Sequence, residues 1–379
     1  MKKIIKKTIA ICICLAIFII AIIIRNIPSA SDFYVKYISS NYIRVVGSIF
    51  SFIQFSLYEF FIVALVIILL TKLIKIFIKL FKKEFLNSLN KFISLLLFIF
   101  VCLDWYFLSA SISYGRPPVD IPQYDGQVSP EMIEEALKYY INDFNEISTH
   151  FERDEDNAIK MPYSFDELNN SLKKEFALLS EKSSYFSTYT PSVKKLTFSN
   201  VFSQLHITGV TFAINGESSV NSKIHPCEMP YVMAHELSHI KGVYREDDAN
   251  LVALYICLNS ADEFLRYSGY YSTIYALIDA YNTTFRTSYS NKYPLSYKIN
   301  AEYATINKFW TDNNLLEKIG TFFNDLFLKT NGNSEGTNDY IDSSDKEDTG
   351  EKDENGQQIF IIKEFSPFQK LYFHHFMNK

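Results

Sequence analysis

Three long apolar stretches constrain the fold of this chain more than any other feature of its sequence. They cover about residues 8–24, 50–71 and 92–112, and as helices they are long enough to cross the roughly 30 Å hydrocarbon core of a bilayer. Residues 1–113 are therefore predicted to form a membrane region with three transmembrane helices. A cleaved signal peptide is the alternative for the first stretch, but its apolar run is longer than a typical signal core.

The placement of lysines predicts how these helices are oriented. Four lysines precede the first stretch and six lie between residues 72 and 91, whereas the loop between the first two stretches has chiefly Lys36 and Arg44. Because basic residues are enriched in cytoplasmic loops, the amino terminus and the second loop are predicted to be cytoplasmic. Three spans then place everything after about Ser113 outside the cytoplasm.

Charge and cysteine content narrow the choice of partners and of disulfide bonds. The formal net charge is −5, with lysines concentrated in the first ninety or so residues and acids in the tail, so no nucleic-acid partner is predicted. Three of the five cysteines lie in apolar stretches, which is not the pattern of a disulfide framework. The other two, Cys227 and Cys257, fit either a disulfide or two buried thiols.

The region after the membrane spans, residues 119–329, is predicted to form a mainly helical extracytoplasmic domain with a small β-sheet. The chain as a whole is then a membrane-anchored α+β protein. A serine, a proline and an acid at residues 129–131 have the pattern of a helix start. Residues 196–198 and 207–214 are rich in β-branched and aromatic residues and indicate short strands or a hairpin. Helices are predicted again over residues 229–329.

The end of the chain divides into two segments of unlike composition. Residues 330–358 are polar and charged with almost no apolar content, so they are predicted to be a flexible acidic linker. Residues 359–379 are rich in aromatic residues and are predicted to dock on another surface. A further hypothesis is that this segment folds back over a functional cleft and gates it.

The sequence His235-Glu236-Leu237-Ser238-His239 is the strongest candidate for a functional site. On a helix the two histidines project from one face, where their imidazoles can bind a single metal ion. Glu236 then lies beside that ion, where it can take a proton from a metal-bound water. Zinc lowers the pKa of such a water to about 7, as hydrolysis at neutral pH requires. The alternative is a helix with two solvated histidines.

A third metal ligand is predicted at Glu246, which follows a turn-permitting Gly242 and opens another apolar helix. Acids in a first helical turn also interact favourably with the helix dipole, so N-terminal capping is the alternative for Glu246, Asp247 and Asp248. Glu246 is predicted to be a ligand, and the two aspartates are predicted to be caps or to orient the ligands. The predicted cofactor is one Zn²⁺ per chain.

The His-Glu-x-x-His segment, followed by Glu246-x-x-Ala249-Asn250, resembles the gluzincin group of zinc metallopeptidases. In that group the first residue of a Glu-x-x-Ala-Asn segment completes the metal site. The resemblance therefore supports Glu246 as the third ligand and implies a zincin-like α+β domain. It also implies that a strand near residues 209–215 holds an extended peptide beside the metal.

A second resemblance is carried by the three spans, the Tyr114-Gly115-Arg116-Pro117 exit from the membrane, the segment with Glu217, and Arg266-Tyr267-Ser268-Gly269 after the motif. In these features the chain is similar, over residues 1 to about 335, to a bacterial membrane-protein family known as domain of unknown function 3810. This resemblance implies no substrate.

Two classes of function agree with these features. The leading prediction is a membrane-anchored zinc metalloendopeptidase that acts beside the bilayer on a protein or peptide of the cell envelope, with Glu236 as general base. The alternative is a non-catalytic envelope protein whose structural or regulatory metal site serves a partner. A structural site needs no base beside an open coordination position, so Glu236 favours the enzyme. The residue that stabilises the oxyanion stays open among Tyr267, Tyr270, Tyr271, His206, His225 and Arg266.

Overall fold

The structure, a computed structural model, describes residues 2–331, 344–352 and 358–379, and it is mostly helical with small β-sheets. The strands are β1 (Lys194–Lys195), β2 (Gly209–Phe212), β3 (Glu217–Val220), β4 (Asp345–Lys352) and β5 (Gln358–Glu364). The α-helices are α1 (Lys2–Arg25), α2 (Pro28–Tyr34), α3 (Ser40–Phe50), α4 (Tyr58–Phe81), α5 (Phe85–Ser109), α6 (Pro130–Ile147), α7 (Phe165–Lys182), α8 (Ser199–Gln204), α9 (Met229–Ile240), α10 (Glu246–Asn259), α11 (Glu263–Phe285), α12 (Tyr297–Asp312), α13 (Glu317–Thr330) and α14 (Pro367–Met377).

Three of these helices, α1, α4 and α5, are long and apolar enough to cross a membrane, as predicted. α1 and α5 run parallel, because Lys7 donates to the Asn90 side chain (2.8 Å) near the start of both helices and Arg25 donates to Ser111 (3.1 Å) near the end of both. Only residues 82–84 separate α4 from α5, so these two helices form a hairpin. The end of α1, the start of α4 and the end of α5 therefore lie on the same side.

The second span begins later than predicted. The sequence indicated about residues 50–71, whereas α4 begins at Tyr58 and is preceded by α3 and a turn. The Glu217 carboxylate accepts hydrogen bonds from the backbone N–H groups of Leu57 (2.8 Å) and Tyr58 (3.3 Å) and from the Ser56 hydroxyl (2.7 Å). The first N–H groups of a helix have no partner inside it, so this distant carboxylate satisfies them and defines where α4 begins.

A small sheet of order β1-β3-β2 lies between the membrane helices and α9. β2 and β3 pair antiparallel as a hairpin, and β1 pairs parallel to β3. β2 lies within the predicted segment 207–214, whereas residues 196–198, which were also expected in a strand, follow β1 and are not in one. Successive side chains of a strand point to opposite faces. Phe212 packs on Tyr58 and Phe61 of α4, with ring centroids 5.2 and 5.0 Å away, while Thr211 faces α9.

The connector that leaves the membrane region is anchored by Arg116. Its buried guanidinium donates to the carboxylate of Asp32 (3.1 Å) and to the carbonyl oxygen of Gly242 (3.0 Å), and lies 3.6 Å from the ring centroid of Tyr185. Gly242 is the second residue after the end of α9. The exit from the membrane is thus joined to the end of α9 by a buried cation with several partners.

The helices of the soluble region share a hydrophobic core, and the aromatic end of the chain is part of it. α14 packs on α6, α10 and α11. Its Tyr372 is fully buried and shares a hydrogen bond of 2.7 Å with the Thr273 hydroxyl. Docking of residues 359–379 is therefore observed, but as a core element rather than as a gate over a cleft. All five cysteines are free, and Cys227 and Cys257 are buried thiols.

The predicted linker over residues 330–358 differs from the structure where it is described. Residues 332–343 and 353–357 lie outside the described residues. Asp345–Lys352 form β4, which pairs antiparallel with β5. The polar composition of β4 does not indicate a strand. β4 is a strand because its backbone hydrogen-bonds to the backbone of the more apolar β5, and its own side chains do not determine this pairing.

A buried ion pair ties α12 to the rest of the soluble core. Glu302 accepts from the guanidinium of Arg153 (3.2 Å) and the backbone N–H of Ile159 (2.9 Å), and it also contacts the Tyr267 hydroxyl. Truncating the carboxylate leaves the charge of Arg153 buried without its partner. We expect Glu302→Ala to lower the free energy of unfolding by about 3–5 kcal/mol, measured by denaturant titration of tryptophan fluorescence.

Glu146→Ala is the matched control, since Glu146 is exposed on α6. It should change the free energy of unfolding by less than about 0.5 kcal/mol. Equal stability of the two variants would show that the buried ion pair does not hold α12 in place.

Candidate metal centre

α9 carries the His-Glu-x-x-His segment and presents its histidines on one side. The opposite side of the helix is buried in the core through Met233, Ala234 and Leu237. His235 and His239 are one turn apart, and their ring centroids are 4.8 Å from each other. The burial of the apolar side thus determines where the two imidazoles point.

Glu246, the first residue of α10, reaches the same place from the next helix. The chain reverses direction after α9 at Gly242, whose φ of +92° disfavours a residue with a side chain. Glu246 Oε2 lies 3.1 Å from His235 Nε2 and 3.7 Å from His239 Nε2. The three candidate ligand atoms all lie within 4.8 Å of one another. The structure therefore brings the three predicted ligand residues together.

The second nitrogen of each imidazole is held by a neighbouring acceptor. His235 Nδ1 lies 2.8 Å from Asn250 Oδ1, and His239 Nδ1 lies 2.7 Å from the carbonyl oxygen of Val243. A backbone carbonyl can only accept, so Nδ1 of His239 donates to it and Nε2 is directed toward Glu246. Such contacts set the tautomer and ring orientation of a metal-binding histidine. The Val243 contact was not predicted from the sequence.

The two aspartates after Glu246 were predicted to cap the helix or to orient the ligands, and they lie outside this cluster. Asp248 accepts from the guanidinium of Arg245 (2.8 Å) and from the backbone N–H of Val119 (3.4 Å), which belongs to the connector. Asp247 is exposed. Asp248 thus holds the connector against the start of α10.

Glu236 is buried beside the cluster and is held by β2. Its Oε2 accepts a hydrogen bond of 2.7 Å from the Thr211 hydroxyl. A Cβ atom on Gly209 would lie 2.5 Å from Glu236 Oε1, so only glycine allows the strand to approach this carboxylate so closely. A strand was predicted here from the sequence, but neither contact was, because both join residues far apart in the chain.

The surroundings of the two carboxylates shift their acidities in opposite directions. Burial raises the pKa of Glu236 to about 7, although the nearby His239 and the Thr211 hydrogen bond oppose the rise. Burial also favours the neutral form of Glu246, but the charges of His239 and His235 outweigh it and lower the pKa of Glu246. The site therefore places a weakly acidic carboxyl group beside a carboxylate that stays ionised.

Tyr244 borders the cluster and was not singled out from the sequence. Its ring centroid lies 5.6 Å from that of His239 and 5.8 Å from that of Tyr114. Its buried hydroxyl has no hydrogen-bond partner among the described residues, and burial raises its pKa. Buried hydroxyl groups are usually paired, so this one marks a polar atom left without a protein partner near the metal centre.

The six residues considered for oxyanion stabilisation have other contacts. The Tyr267 hydroxyl bonds Glu302, and that of Tyr270 donates to Asp143 (2.6 Å). His206 Nε2 lies 3.2 Å from the carbonyl oxygen of Trp310. No contact described in the structure joins any of the six to the cluster, so the structure does not bring them together with it.

Comparison with known proteins identifies a family. The family described as Protein of unknown function (DUF3810) matches residues 34–343, which is most of the chain. No curated protein and no solved structure matches. The match begins after α1, whereas the resemblance was expected from residue 1. The chain belongs to this family of proteins of unknown function (DUF3810).

Proposed function

We propose that this protein is a membrane-anchored zinc metallopeptidase with a zincin-like soluble domain outside the cytoplasm. The observation that carries the proposal is the convergence of His235, His239 and Glu246 within 4.8 Å, next to the buried carboxylate of Glu236. The lysine distribution supports the orientation, which directs the enzyme toward a polypeptide of the cell envelope.

The donor set fits a catalytic zinc ion. Two imidazoles and one carboxylate are a known ligand set for zinc in peptidases, and three protein ligands leave a fourth position open for water or substrate. The hydrogen bonds from Nδ1 to Asn250 and Val243 hold the imidazoles as such ligands require. A structural zinc site would instead be closed by four protein ligands.

The residues of this chain have distinct roles in the proposed reaction. Zinc, when bound, supplies a water of lowered pKa and polarises the substrate carbonyl. Glu236 takes a proton on its carboxylate and later donates it to the leaving amine, for which a pKa near 7 is suited. Thr211 holds that carboxylate in place. β2, which lies at the edge of its sheet, offers backbone groups to an extended peptide.

A non-catalytic metal site remains the competing hypothesis, and the burial of Glu236 argues against it. A carboxyl group that is 5% exposed and has the Thr211 hydroxyl as its side-chain partner is costly to bury. A structural metal site has no need for such a buried carboxyl group, whereas a general base benefits from the raised pKa that burial causes.

Metal content tests the ligand set. We expect the full chain, purified in detergent and supplied with zinc, to hold about one zinc ion, as measured by elemental analysis. His239→Ala and Glu246→Ala should each lose it, because two protein ligands bind zinc far more weakly than three. His150→Ala is the control, since His150 is exposed and pairs with Glu263. Retention of zinc in Glu246→Ala would rule out the third ligand.

Activity tests the general base. Glu236→Gln should keep its zinc but lower kcat/KM on a fluorogenic peptide mixture by about 10²–10⁴-fold, because the amide cannot take the proton. Glu228→Gln is the matched control, since Glu228 is a half-buried glutamate just before α9 whose pKa is also raised by burial to about 7. Similar losses in both variants would mean that general disturbance of the buried helix, and not loss of the base, lowers activity.

The contact between β2 and the base gives a separate test. Gly209→Ala places a Cβ against Glu236 Oε1 and should displace the carboxylate, which we expect to lower kcat by about 10²-fold with zinc content unchanged. Val210→Ala, at the next position of the same strand, serves as control and should retain activity. Full activity of Gly209→Ala would contradict the proposed position of the base.

A further inference from the structure

α13 exposes a continuous apolar face. Residues three and four apart on a helix lie on the same side, and five large apolar side chains follow this spacing. Their exposed fractions range from 43% to 63%. These residues, which we call the α13 apolar face, are Ile319, Phe322, Phe323, Leu326 and Phe327.

The opposite side of α13 is the one that packs on the protein. Leu328 is buried there, and Gly320 lies so close to the carbonyl oxygen of Leu205 that a Cβ atom would meet it. The side of α13 with Gly320 and Leu328 therefore faces the protein, and the five large side chains of the α13 apolar face point outward. A contiguous exposed patch of this kind marks an interaction surface in a folded protein.

The carboxyl end of α13 is fastened to the ends of two membrane spans. The side-chain oxygen of Asn331, directly after α13, accepts from the hydroxyls of Tyr106 (2.7 Å) and Ser111 (3.3 Å), and its carbonyl oxygen accepts from Arg25. Arg25 ends α1, and Tyr106 lies in the last turn of α5. This end of α13 thus lies where α1 and α5 leave the bilayer.

The amino end of α13 lies near the second span, α4. Leu316 donates to the backbone carbonyl oxygen of Gln204 (3.1 Å), the last residue of α8. α8 in turn contacts α4. Phe198, just before α8, packs on Phe60 of α4, and Phe202 of α8 packs on Tyr58, with ring centroids 5.9 and 6.4 Å apart. Both ends of α13 therefore lie on the side of the bundle that holds the end of α1, the start of α4 and the end of α5.

We propose that α13 lies in the plane of the membrane surface, with its apolar face buried at the boundary between lipid headgroups and acyl chains. Because the α13 apolar face adjoins the ends of α1, α4 and α5, we infer that the bilayer that those helices cross covers this face. Amphipathic helices with bulky apolar residues bind bilayers in this way. α3, which lies in the link between two spans, supports the same assignment, because its region exposes Tyr37, Ile38, Val45, Ile49 and Phe52.

The position of α13 relates the metal centre to the lipid surface. The ring of Phe327 lies 6.5 Å from that of Tyr114, which lies 5.8 Å from Tyr244, whose ring is 5.6 Å from His239. Two aromatic rings thus separate the α13 apolar face from a predicted ligand. On the proposed peptidase function, substrates that reach this centre are polypeptides tethered to the same membrane.

Quenching by brominated lipid tests the bilayer contact without relying on activity. Phe323→Trp and Thr321→Trp variants of the full chain are placed in lipid nanodiscs with or without bromine near the top of the acyl chains. Thr321 is exposed on the other side of α13 and is the matched control. The fluorescence of the native Trp105 and Trp310 is measured in the parent protein and subtracted from that of each variant.

We expect the fluorescence added by Phe323→Trp to be blue-shifted and to fall by about half or more with brominated lipid, while that of Thr321→Trp is unchanged. Blue-shifted fluorescence without quenching would mean that protein, such as a second copy, covers the face, and would overturn the proposal. Red-shifted, unquenched fluorescence would place the face in water and overturn it as well. Neither result depends on zinc binding or peptidase activity.

Discussion

Two buried carboxylates join the bundle of long apolar helices to the soluble region in a reciprocal way, and the position of the His235, His239 and Glu246 cluster depends on them. Glu217 of β3 accepts from the backbone of Leu57 before α4, and Glu59 of α4 accepts from the backbone N–H groups of Thr197 (2.7 Å) and Phe198 (2.6 Å) before α8. Hydrogen bonds to ionised acceptors are short and strong, and losing either would leave buried groups unpaired. Since β2 pairs with β3 and holds Glu236 of α9 through Thr211, the orientation of α9 relative to the spans follows from this junction.

Features with local causes could be predicted from the sequence. Span length, hairpin residues and the i, i+4 spacing of His235 and His239 all act within a few residues, so the three spans, the small sheet and the ligand helix were found. Glu246 was predicted from its place after the turn at Gly242, and the resemblance supported that prediction, although an acid in a first helical turn is also explained by capping. Contacts between distant residues could not be predicted: the residue that caps α4 is 160 positions away, and Thr211 is 25 positions from Glu236.

Periodicity identifies an apolar face but not what that face meets. The pattern of α14 and that of α13 both predict amphipathic helices, yet Tyr372 of α14 is fully buried in the core while Phe323 of α13 is 62% exposed. Which outcome occurs depends on the opposite side of each helix, where Gly320 lets α13 approach Leu205 closely. β4 shows the converse, since a polar segment becomes a strand through the backbone of its neighbour. Burial is thus decided by tertiary packing after the helices and strands are specified.

The anchoring of Arg116 adds a second rigid link between the spans and the end of α9, beside the carboxylate junction. With the chain held at both places, no free stalk separates the bundle from the soluble region among the described residues. Under the proposed peptidase function, the candidate metal centre would stay at a constant height above the membrane plane. The bond that is cut would then be selected first by its distance from the membrane along the substrate and only then by the side chains around it, so unrelated sequences at the same height would be cut alike.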